Sequence, residues 1–293
     1  MFSTPSDLQG LRRRLDKIDD RLQDLLIDRA AIVAQVAASK KDGNQPALQP
    51  AREAQIIRRL VGRHRGALPV ASLVRMWREM LAATVALQSP LSVAVFARAE
   101  QQGCWDLARD HYGSNTPMTA HDTVDEVIRA VGGGEKTVGV LPLPQTGETE
   151  PWWPQLVSAD KDPPQVIARL PFLAPGNART NAAEALAIGL GTHQESGLDR
   201  TFIVAEYLAD VRPSRVLKLL SGLRLVCTFF TSCDRGGPLH LIEVEGFVSI
   251  SDTRLDAFRA ELGPSLRRLL PLGGYAVPLL PLSLKALGCA DET

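Results

Sequence analysis

Cysteine is scarce: four in 293 residues, at Cys104, Cys227, Cys233 and Cys289, with no Cys-x-x-Cys pair and no histidine cluster beside them. That spacing gives neither a disulfide framework nor a zinc site, and predicts reduced thiols in a cytoplasmic protein. Net charge is also missing: 33 Lys+Arg stand against 33 Asp+Glu. Bulk charge therefore offers no reason to expect a nucleic acid or a membrane as partner. No apolar run reaches the roughly 18 residues a membrane helix needs. The opening MFSTPSDLQGLRRR is followed by no apolar stretch of the kind a signal peptide carries. Gly132 to Gly134 form no phosphate-binding fingerprint and read as a helix-to-strand turn.

What is present begins with apolar content of 45 %, enough for real cores, over a length that suggests two domains or three small ones. Leu11, Leu15, Ile18, Leu22, Leu25, Ile32 and Val36 step by fours and threes. This is a heptad seam, with Arg29 at the one position that is not apolar. Thr4-Pro5-Ser6-Asp7 reads as a helix start and Asp42-Gly43-Asn44 as its stop. A helix from Pro5 to Lys41 would be roughly 55 Å long, more than a small domain covers, so a partner chain is the economical way to bury the seam. A second helix is expected from about Pro50 to His64, with Ile56, Ile57 and Leu60 facing inward. A third is expected from about Pro69 to Gln88, burying Leu73, Met76, Trp77, Met80, Leu81 and Val85. Ser89-Pro90 closes this module.

The polar residues of the module carry the chemistry. A cation in an apolar seam needs an anion. Lys40 lies three helical turns beyond Arg29 and shares its face, with Val33 and Val36 between them. Arg12 is seventeen residues before Arg29, more than about 20 Å away along one helix. It can meet the same small ligand only from the antiparallel helix of a second chain. A lone arginine in such a seam usually snorkels or sets register; the wider constellation argues for more.

The motifs LRRRLDKIDDRLQDLLIDRAAIVAQVAASK, PALQPAREAQII and WREMLAATVALQ resemble the three helices of the all-helical chorismate mutase family, as found in bifunctional mutase–prephenate dehydratases. The resemblance implies an intertwined dimer. It places Arg12, Arg29 and Lys40 on substrate-binding cations, the first supplied by the partner subunit. It puts Arg52 and Glu53 on binding positions of the second helix, and Thr84 and Gln88 on polar active-site positions of the third. Gln49 stands where some members have Asp. The implied reaction converts chorismate to prephenate within one molecule, so neither nucleophile, metal nor organic cofactor is expected. Arg12 and Arg29 would clamp the two carboxylates, for which a planar guanidinium fork is suited. Lys40 and Gln88 would stabilise the charge growing on the ether oxygen.

From Leu91 the pattern changes to strand, helix, helix, strand: LSVAVFA, a helix around Cys104 to Tyr112, another from Thr123 to Val131, then KTVGVLPLP. This resembles a truncated prephenate dehydratase lobe with a periplasmic-binding-protein-like α/β fold. Val140 to Thr146 would match that family's Val-Pro-Ile-Glu-Asn-Ser turn, without its Glu-Asn-Ser part. The Thr-Arg-Phe motif is absent; Arg200-Thr201-Phe202 holds the same residues in another order, which in a strand sends side chains to other faces. The stretch HLIEVEGFVSISDTRLDAFRAELGPSLRRLLPLGGYAVPL resembles an α+β ACT regulatory domain. Arg212-Pro213-Ser214 and Thr231-Ser232-Cys233 stand in place of its effector-loop motifs.

The expected organisation is a helical domain over 1–90, an α/β domain over 91–208 and an ACT-like domain over 209–285. The expected function is a chorismate mutase homodimer whose C-terminal region has lost dehydratase chemistry and either answers to an aromatic amino acid as effector or is kept for packing and dimer contacts. The alternatives are a true bifunctional mutase–dehydratase and a non-catalytic sensor or dimerisation protein. A nucleic-acid-binding helix is disfavoured, because Asp16, Asp19, Asp20, Asp24 and Asp28 interrupt the basic residues.

Overall fold

The computed structural model describes residues 5–40, 46–99, 102–157, 163–179, 183–208, 211–234 and 237–280. Thr4 and the Asp42-Gly43-Asn44 stop lie outside the described residues. The chain divides into two compact units, one of Met1–Ala47 with Thr84–Pro90 and one of Leu48–Ala83 with Leu91–Thr293. The expected boundaries at 90 and 208 do not coincide with this division, because most of the second and third helices belongs to the larger unit.

The smaller unit is built on α1 (Pro5–Lys40), a single helix of 36 residues. Its seam is uncovered in the single chain. Leu11, Leu15, Ile18, Leu22, Leu25, Ile32 and Val36 are between 43 % and 63 % exposed, far from the state of core residues. Only Val33 is buried among the described α1 side chains.

In the larger unit, α2 (Pro50–Arg63) starts with Pro50 in its first turn and buries Ala54, Ile57 and Val61. The next helix, α3 (Val70–Ala86), contributes Val70, Val74 and Leu81 to the same cluster, with Phe172 and Leu279. Met76, expected inward, is 61 % exposed. The face that packs is the one through Val70, Val74 and Leu81, one turn-step away from it.

The sheet has nine strands in the order β2-β1-β3-β5-β4-β9-β6-β8-β7. These are β1 (Val93–Phe96), β2 (Met118–His121), β3 (Val138–Pro142), β4 (Gln165–Leu170), β5 (Ala185–Gly189), β6 (Asp199–Tyr207), β7 (Cys227–Asp234), β8 (Pro238–Glu245) and β9 (Leu266–Ala276). The first three are parallel, with α4 (Gly103–Tyr112) and α5 (Val124–Gly132) as their crossovers. Thr123 caps α5 in a reciprocal capping box with Glu126, and Gly133-Gly134 ends it, Gly134 at φ +74°. The strand β5 then inserts antiparallel between β3 and β4.

The remaining elements follow the order β6, α6 (Pro213–Gly222), β7, β8, α7 (Thr253–Leu262), β9. Their antiparallel sheet runs β9-β6-β8-β7. This split βαββαβ arrangement is the α+β fold expected of an ACT-like region. It already begins at β6. Phe202 and Val204 of β6 face one core with Trp153 and Tyr275, while Ile203, Ala205 and Tyr207 face another with Val216 and Phe258. That is the two-residue period of a strand buried on both faces. The two halves of the sheet join where β4 meets β9 at Val166 and Gly273. Gly273 has φ +92°, and a Cβ there would lie 2.3 Å from the Val166 carbonyl oxygen, so only glycine fits.

Candidate active site

The smaller unit brings together three of the residues singled out from the sequence. Arg29 is partly buried on α1, and its Nη1 donates to Thr84 Oγ1 at 2.5 Å. The Nε2 of Gln88 donates to the Thr84 carbonyl oxygen at 3.1 Å. Thr84 is thus the common partner of the guanidinium and the carboxamide. Burial lowers the pKa of Arg29 from its ordinary value, although the group stays protonated at any ordinary pH. The Gln88 Oε1 is buried and has no hydrogen-bond partner among the described residues. Such a group in a native site calls for an explanation, and a ligand contact is one of few available. The cluster offers a fixed cation and an amide beside an uncovered apolar helix face.

Arg12 is exposed on the same helix. Lys40 is its last residue, and its side chain lies outside the described residues.

The other three predicted residues belong to the larger unit. Gln49 is the N-cap of α2, and its carbonyl oxygen accepts the Glu53 N–H at 3.0 Å. Arg52 is exposed. Glu53 is only 8 % exposed, and Arg78 Nη1 of α3 donates to its Oε2 at 3.0 Å. Burial pushes the Glu53 carboxyl up from the usual carboxylate range, and the Arg78 guanidinium partly opposes this. The inward face expected for the third helix was made of apolar residues alone, so Arg78 was passed over. Its position four residues after Val74 and three before Leu81, both buried, was the available signal.

Arg58 was also missed. It ties α2 to the α/β region through hydrogen bonds to Ser196 Oγ at 3.0 Å and to the carbonyl oxygens of Leu198 and Val277 at 2.8 Å each.

Arg200-Thr201-Phe202 is fully committed to the fold. Arg200 pairs with Glu243 at 3.0 Å, Thr201 Oγ1 donates to the Gly246 carbonyl oxygen and accepts from Val248 N–H, and Phe202 lies in the core. Glu243 itself is buried and also accepts from Tyr275 and Thr228 hydroxyls, each at 2.5 Å. The surface of α6 over Arg212, Ser214, Arg215 and Lys218 is exposed and basic. No helix among the described residues is long and apolar enough to cross a membrane, and no group of three or more His, Cys, Asp or Glu among them could hold a metal ion.

Residues 11–89 match the family model of chorismate mutase type II. A bifunctional chorismate mutase/prephenate dehydratase from Pseudomonas aeruginosa is 32 % identical over 149 residues, covering 48 % of this chain and 40 % of that protein. One from Stutzerimonas stutzeri is 30 % identical over 152 residues, covering 50 % of this chain and 41 % of that protein. The chain spans about two fifths of the length of these relatives. Among solved structures, a prephenate dehydratase from Streptococcus mutans is similar with a TM-score of 0.46 at 16 % identity, over 64 % of this chain and 98 % of that one.

Proposed function

We propose that the protein is a chorismate mutase that works as a homodimer, with a dehydratase-like and ACT-like region that serves regulation or structure. The observation that carries this reading is the coincidence of two independent facts. Residues 11–89 match the mutase family model, and Arg29, Thr84 and Gln88 within that segment are joined by hydrogen bonds.

The substrate is a compact dianion that rearranges through a cyclic transition state, so catalysis needs positioning and charge stabilisation rather than a nucleophile. In this proposal Arg29 holds one carboxylate, and Arg12 of the second chain holds the other. Lys40 and Gln88 donate to the ether oxygen as the C–O bond breaks. Gln49, Arg52, Glu53 and Thr84 complete the contacts to the ring, its hydroxyl and the carboxylates. Gln88 carries no titrating group, which supports activity over a broad pH range. The uncovered seam of α1 supports a second copy as its partner, since an apolar row of this length is costly in water.

The dehydratase reaction is the alternative favoured by the bifunctional relatives. Against it stands the structural use of Arg200, Thr201 and Phe202. One spectroscopic assay separates the readings. Purified protein should deplete chorismate absorbance and accumulate prephenate without phenylpyruvate. Phenylpyruvate formation at neutral pH would establish the bifunctional alternative, and no loss of chorismate would overturn both.

A further inference from the structure

A cavity of about 430 Å³ opens in the larger unit between α3, α4 and the segment after β4. Its volume falls in the range of small-molecule pockets. Leu107, Pro171 and Phe172 give it apolar walls, and Arg75, Arg78, Asp110 and His111 of α3 and α4 line it with polar groups.

The decisive group is Arg78. Its side chain is 5 % exposed, lines the cavity and stacks over the Phe172 ring at 4.9 Å. A guanidinium has five N–H donors. Arg78 directs one of them to Glu53, and its Nε is buried with no partner among the described residues. A cation taken out of water with most of its donors unspent is an expensive arrangement, and an anionic ligand would relieve it. His111 of α4 is buried against the same space. Burial holds its pKa well below the ordinary value, so it meets a ligand as a neutral imidazole that can donate or accept one hydrogen bond. At the rim, Arg75 is half exposed and forks onto Asp110 across the α3–α4 gap, which adds a second guanidinium at the entrance.

We propose that this cavity is a second small-molecule site, separate from the mutase residues of α1, that binds a monocarboxylate with a flat, compact apolar body. The carboxylate faces Arg78, and the ring lies along Phe172 and Pro171. The cavity lies in the larger unit and uses none of Arg12, Arg29, Lys40, Thr84 or Gln88; Glu53, the partner of Arg78, is shared with the proposed mutase contacts, so Ala71→Trp is the variant that tests the cavity independently.

The test is calorimetric titration of the full chain with phenylacetate and with its uncharged counterpart phenylacetamide. Saturable one-to-one binding of phenylacetate is expected, at least tenfold tighter than the amide. Two variants locate it. Ala71→Trp fills the cavity from an exposed position on α3. The double variant Glu53→Gln/Arg78→Met removes the cation together with its counter-ion, so that no charge is stranded. Each should weaken phenylacetate binding tenfold or more while the circular dichroism spectrum and a cooperative melting transition are kept. Equal affinity for acid and amide, affinity unchanged in Ala71→Trp, or no saturable binding by the wild-type chain would each overturn the proposal.

Discussion

The Nη1 of Arg29 donates to Thr84 Oγ1 across 2.5 Å, fifty-five residues away in sequence. This bond fixes the cation of the α1 seam against the end of α3, and Gln88 leans on the same threonine through its carbonyl oxygen. A side chain that only set register would have no need of this company.

Arg29→Ala should therefore reduce mutase turnover by about 100- to 1,000-fold, the usual cost of removing one preorganised donor. Thr84→Ser, which keeps the hydroxyl, should leave turnover within a few-fold, whereas Thr84→Val should not. Steady-state rates on chorismate check this, and an Arg29→Ala enzyme of normal rate would remove Arg29 from the site.

Charging the seam should separate the chains. Leu15→Glu with Leu22→Glu places carboxylates in the middle of a row that is about half exposed in the single chain. If that row is the interface, sedimentation should show a monomer and turnover should vanish with it. An unchanged dimer would move the interface elsewhere.

The buried pair of Arg78 and Glu53 predicts an asymmetry in stability. Arg78→Met leaves a carboxylate buried without its partner and should cost about 3–5 kcal/mol. Glu53→Gln/Arg78→Met strands no charge and should cost clearly less. Urea denaturation of the two variants measures the difference, and equal losses would contradict the pairing.

Stability should also fall as pH drops from about 6.5 towards 4. Burial holds His193 and His240 down to about 4 each, so they stay neutral in the fold. In the unfolded chain they take up protons below about 6.5. The unfolded state then binds more protons, and stability rises with pH across that window. His240 stacks on Tyr207 at 4.1 Å, so His240→Phe should keep the stack and flatten part of the slope. An unchanged slope would show that this histidine is not part of the cause.

Much of this was legible in the sequence, for identifiable reasons. The heptad of α1, the helix from Thr123 and the apolar runs of β1 and β3 are local patterns, and local patterns survive folding. Arg29 was found because a cation at a seam position conflicts with the apolar period, whereas Thr84 and Gln88 came from the resemblance of WREMLAATVALQ to the mutase family's last helix. Arg58, Arg78 and the Glu243 cluster were not found. Their partners lie 138, 25 and 43 residues away for the Ser196, Glu53 and Arg200 contacts, and no periodicity announces such pairs. Met76 failed for a related reason: which face of α3 turns inward is set by Phe172 and Leu279, distant in sequence.

The most direct test mixes two inactive proteins. Arg12→Ala and Lys40→Ala chains should each lack mutase turnover while remaining dimeric. After unfolding together and refolding, half of the dimers should be mixed, each with one intact and one doubly damaged site, restoring about a quarter of wild-type turnover. A mixture no more active than its parents would contradict a site shared between two chains.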